Sequence, residues 1–306
     1  MTEITSHKKH GEGRTCVITR RACFSASHRY WLPELSADEN SSLFGNCAMA
    51  PGHGHNYELI VSMRGKLNKD GMVINLSEVK HAIKKEITNQ LDFRFLNEVW
   101  PEFNLKRTET CLPTTEALAR AIWARLQPHI PIISLRLFEQ KTLWADYSGS
   151  DMNTYLTIQQ HFAAAHRLAR EELPLSENTV IYGKCARTHG HGHNYILDIT
   201  VKGSISERTG MLCDLSALQK IVADLIIEPF DHTFLNKDIP YFRQCVPTAE
   251  NIALHISDLL IEPIKELGAT LYKVHLQEST NNAAEVYAEA PQLNAMPETL
   301  ANMATH

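Results

Sequence analysis

Two stretches of the chain alternate apolar and polar residues with a period of two: Tyr57, Leu59, Val61 and Met63 in the first half, and Tyr195, Leu197, Ile199 and Val201 in the second. Successive side chains of a strand point to opposite faces, so each stretch predicts a half-buried β-strand. The period then changes. Asp214 precedes Leu215, Leu218, Val222 and Leu225 at helical spacing, and Thr248 precedes Ile252, Ile256 and Leu259. A short side chain with an oxygen acceptor satisfies free N–H groups at a helix start, so Asp214 and Thr248 are predicted N-caps. Tyr272 to Gln277 and Ala284 to Ala288 return to strand character, with Val274, Leu276 and Glu278 on one face. The order strand, strand, helix, helix, strand, strand predicts an α+β unit, an antiparallel four-stranded sheet with two helices on one face.

That unit occurs twice. FSASH (Phe24 to His28) answers FAAAH (Phe162 to His166), and GHGHNY begins at both Gly52 and Gly190, each pair at an offset of 138. Gly71-Met72 and Phe95-Leu96-Asn97 recur at 139, and Pro113-Thr114-x-Glu116 recurs at 134. A shift held nearly constant over more than half of each unit does not arise from composition; it marks a tandem duplication. The predicted domains are residues 14–147 and 152–290, joined through Ser148-Gly149-Ser150-Asp151, with 1–13 and 291–306 as loosely attached tails.

The remaining composition mostly excludes. The 306 residues carry a formal net charge of −5, which argues against a nucleic-acid partner. No apolar run approaches the roughly 18 residues of a membrane span, and the polar segment Met1 to Arg14 lacks the apolar centre of a signal peptide, so a cytoplasmic protein is expected. Seven cysteines without a CxxC pair argue against a disulfide framework or a four-cysteine zinc site. Cys16, Cys23, Cys111, Cys213 and Cys245 are expected to be small buried hydrophobes.

Histidine carries the chemistry. On a strand, residues i and i+2 point to the same side, so His191 and His193 can present two imidazoles to one metal ion. His166, at the end of FAAAH, is the natural third ligand, and three histidines with an open fourth position form a catalytic arrangement. His28, His53 and His55 repeat it. His189, two before His191, is expected to face solvent, since the first copy has Pro51 there. Six residues before each His-x-His stands a cysteine, Cys47 or Cys185. Beside a metal a thiol is a base, a nucleophile or a ligand; with three imidazoles available, a general base is the economical reading. Asp231-His232 offers a proton donor or acceptor beside an acid. Glu278, and Glu139 in the first copy, end apolar rows, where a carboxylate needs a partner such as a ligand edge with two N–H donors.

Together FSASHRYWL, LFGNCAMAPGHGHNY, GMLCDL, PFDHTFLN, PTAEN and LQESTNN resemble the motifs of the 6-pyruvoyl-tetrahydropterin synthase family, over nearly the whole of both repeats. The resemblance implies the tunnelling (T-) fold, in which three domains close a twelve-stranded barrel and two rings stack. It implies a zinc ion (Zn2+) at each histidine set, and a homo-oligomer, here a homotrimer of two-repeat chains. The implied reaction is loss of triphosphate from 7,8-dihydroneopterin triphosphate with proton transfers along its side chain. Cys185 would take the first proton, His232 oriented by Asp231 would handle the second, and Glu278 with Thr248 would hold the pterin edge. The related 6-carboxy-tetrahydropterin synthases of queuosine synthesis would share every role, and a non-catalytic pterin-binding assembly is the third reading. The Cys-x5-His-Gly-His spacing resembles the pyruvoyl enzymes; the carboxy enzymes usually show Cys-x3. The first repeat departs from the pattern, with Phe93 in place of His232 and Asn75 in place of Asp214. Since a threefold ring cannot alternate two repeat types, a ring of first copies stacked on a working ring of second copies is expected.

Overall fold

The computed structural model describes residues 15–104, 110–149 and 152–289, so both predicted tails lie outside the described residues. The first repeat contributes β1 (Thr15–His28), β2 (His53–Lys66), β3 (Arg94–Phe95), β4 (Ile132–Gln140) and β5 (Leu143–Tyr147). The second contributes β6 (Thr154–His166), β7 (His191–Gly203), β8 (Thr233–Phe234), β9 (Thr270–Ser279) and β10 (Asn282–Tyr287). Each repeat is a four-stranded antiparallel sheet plus one two-residue strand laid parallel against its first strand.

The two sheets are one. β5 pairs antiparallel with β6, Asp146 opposite Tyr155 and Leu143 opposite Ile158, giving the order β10-β9-β7-β6-β5-β4-β2-β1-β3. This corrects the expectation of separate rings: a chain whose repeats share one sheet places a first and a second copy side by side, so no ring of first copies alone can form. The physical reason is the linker, which leaves only the few residues between Tyr147 and Thr154 to join consecutive strands, the length of a neighbouring antiparallel connection.

Helices cover one face of each sheet. In the first repeat Leu76–Ile83 runs through a wider π turn, Lys84–Thr88, and Thr115–Leu126 packs beside it; in the second, Leu215–Val222 with Ala223–Ile227 and the long helix Ala249–Glu266 do the same. Leu59, Val61, Leu135, Leu137, Leu118 and Ile122 are fully buried between the layers, as are Leu197, Ile199, Leu276, Ile252 and Ile256. Burial of such side chains contributes on the order of 1.5–3 kcal/mol each. The predicted caps form: Asp214 accepts from the N–H groups of Ser216 and Ala217 at 2.8 and 3.1 Å, and Thr248 from Asn251 at 3.3 Å. Asn75 caps through Ser77 at 2.9 Å, so replacing aspartate here preserves the helix start.

Two features depart from the sequence reading. Each repeat inserts a short helix between its first two strands, Ala37–Phe44 and Leu175–Tyr182, neither of which carries enough apolar positions to show a period. Among the five cysteines expected to be buried, only Cys213 is; Cys16 and Cys23 are exposed, and Cys111 and Cys245 half-buried. Cys16 and Cys23 sit on β1, whose outer edge beyond residues 26–27 pairs with no other described strand. Among the described residues no helix is long and apolar enough to cross a membrane.

Candidate metal centre

The end of β1 and the start of β2 meet at the sheet margin, His28 opposite His53 and Ala26 opposite His55. β6 and β7 repeat this, His166 opposite His191 and Ala164 opposite His193. The parity puts all three imidazoles of each repeat on the face that also carries the buried Phe24 and Tyr57, or Phe162 and Tyr195. Glycine makes the approach feasible at the bend before β2 and β7: a Cβ on Gly52 or Gly190 would come within 2.5 Å of the carbonyl oxygen of His28 or His166.

His28, His53 and His55 form one cluster and His166, His191 and His193 another, with one ligand atom of each residue within 4.8 Å of the others in its cluster. The Nε2 atoms of His28 and His53 are 3.0 Å apart, and those of His166 and His191 3.2 Å. Nitrogens bound at about 2.0–2.1 Å to one tetrahedral zinc are separated by about 3.4 Å, so the spacing suits a single ion. A carbonyl selects the orientation of the deepest ring: Nδ1 of His28 lies 3.0 Å from Pro113 O and Nδ1 of His166 2.7 Å from Pro247 O. Since that carbonyl can only accept, Nδ1 bears the proton and the Nε2 lone pair is left for the cluster. Tyr57 and Tyr195 bring hydroxyls to 3.5 and 3.4 Å of the same Nδ1 atoms.

Burial favours the neutral form of four of the rings. It lowers His28 to about 4, and it lowers His53, His166 and His191, with neighbouring imidazoles adding to the effect. Neutral imidazole is the ligating form. His53 Nδ1, His55 Nε2 and His193 Nε2 are buried without a hydrogen-bond partner. A buried polar atom left unpaired is unfavourable unless a ligand satisfies it, so the donor set fits a divalent ion. A carboxylate faces each cluster. Glu139 Oε1 is 3.5 Å from His55 Nε2, and Glu278 Oε1 is 3.7 and 3.8 Å from Nε2 of His166 and His193. Thr115 donates to Glu139 at 2.6 Å; the second repeat has Ala249 at that position.

Cys47 and Cys185 lie half-buried on short turns, Gly45–Ala48 and Gly183–Ala186. Their carbonyls accept from Tyr30 and Leu168, two residues beyond His28 and His166, which ties each turn to its histidine strand. Burial, then the charge of Glu139, raises the Cys47 thiol above its ordinary value; a nearby cation acts in the opposite direction. Asp231 accepts from the Ala163 N–H at 2.7 Å and holds His232 Nδ1 at 2.8 Å. His232 has φ 58 and an exposed ring, and lines a surface groove with His193. Phe93 keeps the same left-handed backbone, φ 55, and is 87% exposed. Thr248 serves as the helix cap described above, and His189 is exposed.

The sequence reading missed the proline carbonyls, the tyrosine hydroxyls and the role of Asn97 and Asn236. Asn97 accepts from the Arg29 N–H and donates to the Arg29 carbonyl, both at 2.8 Å, and Asn236 brackets Arg167 in the same way at 2.7 and 2.9 Å. Their recurrence within both copies of Phe-Leu-Asn was the available signal.

A family model described as 6-pyruvoyl tetrahydropterin synthase matches residues 17–150 and again 155–289. A 6-pyruvoyl tetrahydrobiopterin synthase of Poecilia reticulata is 43% identical over 129 residues, 42% of this chain and 86% of that protein. The Homo sapiens protein of the same description is 43% identical over 121 residues, 40% of this chain and 82% of its own length. A putative 6-carboxy-5,6,7,8-tetrahydropterin synthase of Archaeoglobus fulgidus is 30% identical over 129 residues, 42% of this chain and 91% of that protein. The solved structure of the Caenorhabditis elegans 6-pyruvoyl tetrahydropterin synthase aligns at 33% identity and a TM-score of 0.43, over 45% of this chain and 96% of that one. With the family's model matched once per repeat and two histidine clusters at equivalent strand positions, the chain is a tandemly duplicated member of the 6-pyruvoyl tetrahydropterin synthase family.

Proposed function

We propose that the protein is a zinc-dependent lyase that eliminates triphosphate from 7,8-dihydroneopterin triphosphate and rearranges the side chain to the 6-pyruvoyl product. The observation that carries this is the pair of three-imidazole clusters, each with unpaired buried nitrogens and a carboxylate within 4 Å. The more similar relatives carry the pyruvoyl description, and the Cys-x5-His-Gly-His spacing agrees with it.

Zinc held by His166, His191 and His193, and by His28, His53 and His55, would polarise the side-chain hydroxyls of the substrate and acidify the adjacent C–H. Cys185 accepts that proton at Sγ. His232 carries the second transfer: Asp231 holds Nδ1, so Nε2 is the nitrogen that faces the ligand. The Glu278 carboxylate accepts two N–H donors of the pterin edge, and Thr248, whose oxygen is engaged by the Asn251 N–H, keeps its hydroxyl proton for a ligand acceptor. Cys47 and Glu139 hold the corresponding places in the first repeat, where Phe93 cannot move a proton. The oxidation change stays within the substrate, so no redox cofactor enters.

The test is incubation with 7,8-dihydroneopterin triphosphate, with and without a chelator, and identification of every product. Triphosphate and a 6-pyruvoyl pterin, both lost with chelator, are expected. Acetaldehyde release would assign the 6-carboxy reaction instead, and tight pterin binding without triphosphate release would make the assembly non-catalytic.

A further inference from the structure

The segment that leads into each His-x-His pair differs in charge between the repeats. In the second repeat, residues 182–190 run from the short helix through the Cys185 turn to His191 and carry Lys184, Arg187 and His189, all exposed, with no acidic residue. In the first, residues 44–52 follow the same path with Asn46, Met49 and Pro51 at those positions, and the segment has no charge. The backbone is held alike in both. The Cys185 carbonyl accepts from the Leu168 N–H at 3.0 Å and the Cys47 carbonyl from Tyr30 at 2.9 Å, while Arg167 and Arg29 donate to the carbonyls of Ala186 and Ala48 at 3.0 and 2.6 Å. The Gly190 N–H donates to the Arg187 carbonyl at 2.9 Å, which folds residues 187–190 into a turn directly ahead of His191.

The asymmetry continues on the element beside this turn. A Cβ on Gly190 would stand 2.9 Å from the ring of Phe234, and the Lys237 ammonium lies 5.2 Å from the centre of that ring. Phe95 takes the place of Phe234, 3.3 Å from a Cβ on Gly52, but Glu98 stands where the second repeat has Lys237. The nearest acids in sequence are engaged: Asp238 accepts from the Phe234 N–H at 2.7 Å, and Glu172 pairs with Arg170 at 2.6 Å. Lys184, Arg187 and Lys237 make no salt bridge among the described residues. Three cations thus lie on the path into the second histidine cluster, where the first repeat has an amide, a thioether and a carboxylate.

We propose that Lys184, Arg187 and Lys237 form a polyphosphate-binding rim on the second repeat, and that the first repeat, with Asn46, Met49 and Glu98 in their places, holds no polyphosphate. The inference rests on the reading of the substrate as a triphosphate ester and deepens it, by assigning the residues that select the phosphorylated ligand and the repeat that carries them. A triphosphate approaches a chain whose formal net charge is −5, so its capture needs a local field of the opposite sign. Two ammonium groups and a guanidinium fork supply that field and donate charge-assisted hydrogen bonds to phosphate oxygens. Contacts to the phosphates form when the ligand binds and persist until the chain of phosphates leaves, so they act on KM more than on kcat.

The test exchanges the rims in the full chain. One variant combines Lys184→Asn, Arg187→Met and Lys237→Glu; its reciprocal combines Asn46→Lys, Met49→Arg and Glu98→Lys. All histidines of both clusters are kept, and elemental analysis checks that metal content matches wild type. Calorimetry with inorganic tripolyphosphate should find one site per chain in wild type, an affinity lower by about tenfold or more in the first variant, and a second site in the reciprocal one. Phosphate-free 7,8-dihydroneopterin should bind wild type and first variant within about twofold of each other, and turnover of the triphosphate ester should show KM raised more than kcat is lowered. Undiminished tripolyphosphate affinity in the first variant, or two sites in wild type, would overturn the rim and leave the lyase reading standing. A wild type that binds tripolyphosphate at one site but releases none from 7,8-dihydroneopterin triphosphate would sink the lyase reading and leave the rim.

Discussion

The two repeats share a fold and differ in the side chains it carries. Each presents three imidazoles, a carboxylate, a proline carbonyl and a cysteine turn at matching positions. At residues 93 and 232 they also share a left-handed conformation that is unfavourable for most side chains, and a 2.6 Å hydrogen bond from that N–H to Ser25 or Ala163. Asp92 still holds the Ser25 N–H at 2.8 Å, as Asp231 holds Ala163. The strained turn outlasts its imidazole because the aspartate beside it fastens the strand. The second repeat bears an imidazole on this mounting and the first a phenyl ring, so the turn is held for folding whichever side chain it carries.

The largest effect should come from the ligands. His28→Ala and His166→Ala are each expected to lower bound metal from two ions per chain to one, measured by elemental analysis, and His166→Ala should abolish turnover. Equal metal loss with equal activity loss in both variants would make the repeats functionally equivalent. Cys185→Ala should remove turnover and Cys47→Ala leave it, because the groove holding His232 is lined by His193. The reverse would show that His232 serves the first repeat's cluster; β8 pairs with the same edge of β6 as β5 does, so the geometry makes that outcome a sharp alternative.

His232→Phe, which makes the second repeat resemble the first, should lower kcat by about 10²–10⁴-fold with metal content unchanged. Phe93→Ala should leave kcat within about twofold. A smaller effect concerns the start of the helix Thr115–Leu126, where the Leu212 N–H donates to Glu116 at 3.1 Å. Burial raises Glu116 to about 7, against an ordinary 4.5. Between those values the folded chain keeps a proton that the unfolded chain has released, so stability falls as pH rises from about 4.5 to 7 and levels above; the span is about 3 kcal/mol. Glu116→Gln keeps the acceptor for Leu212 and should flatten denaturation midpoints across that window. Smallest is Thr115→Ala, which gives Glu139 the surroundings of Glu278 and should cost about 1 kcal/mol by denaturant titration.

Much of this was legible in the sequence because it depends on local periodicity. Alternation located β2 and β7, parity set His53 with His55 and Glu139 with Leu137, and the caps at Asp214 and Thr248 followed from short polar side chains before an apolar row. What depends on distant pairing was not legible. Nothing local in Pro113 announces that its carbonyl meets a histidine 85 residues away. The exposure of Cys16 and Cys23 follows from β1 being an outer strand, and the shared sheet from the β5–β6 register. Sequence spacing specifies neither.

The peptide between Pro113 and Thr114 faces two ways. Its carbonyl steadies His28, and the adjoining threonine hydroxyl grips the second repeat at Gly210. Metal binding at the first cluster, where it occurs, is therefore expected to be coupled to adhesion between the repeats, since a disturbance of either contact reaches the other through one peptide, and the coupling would be reciprocal.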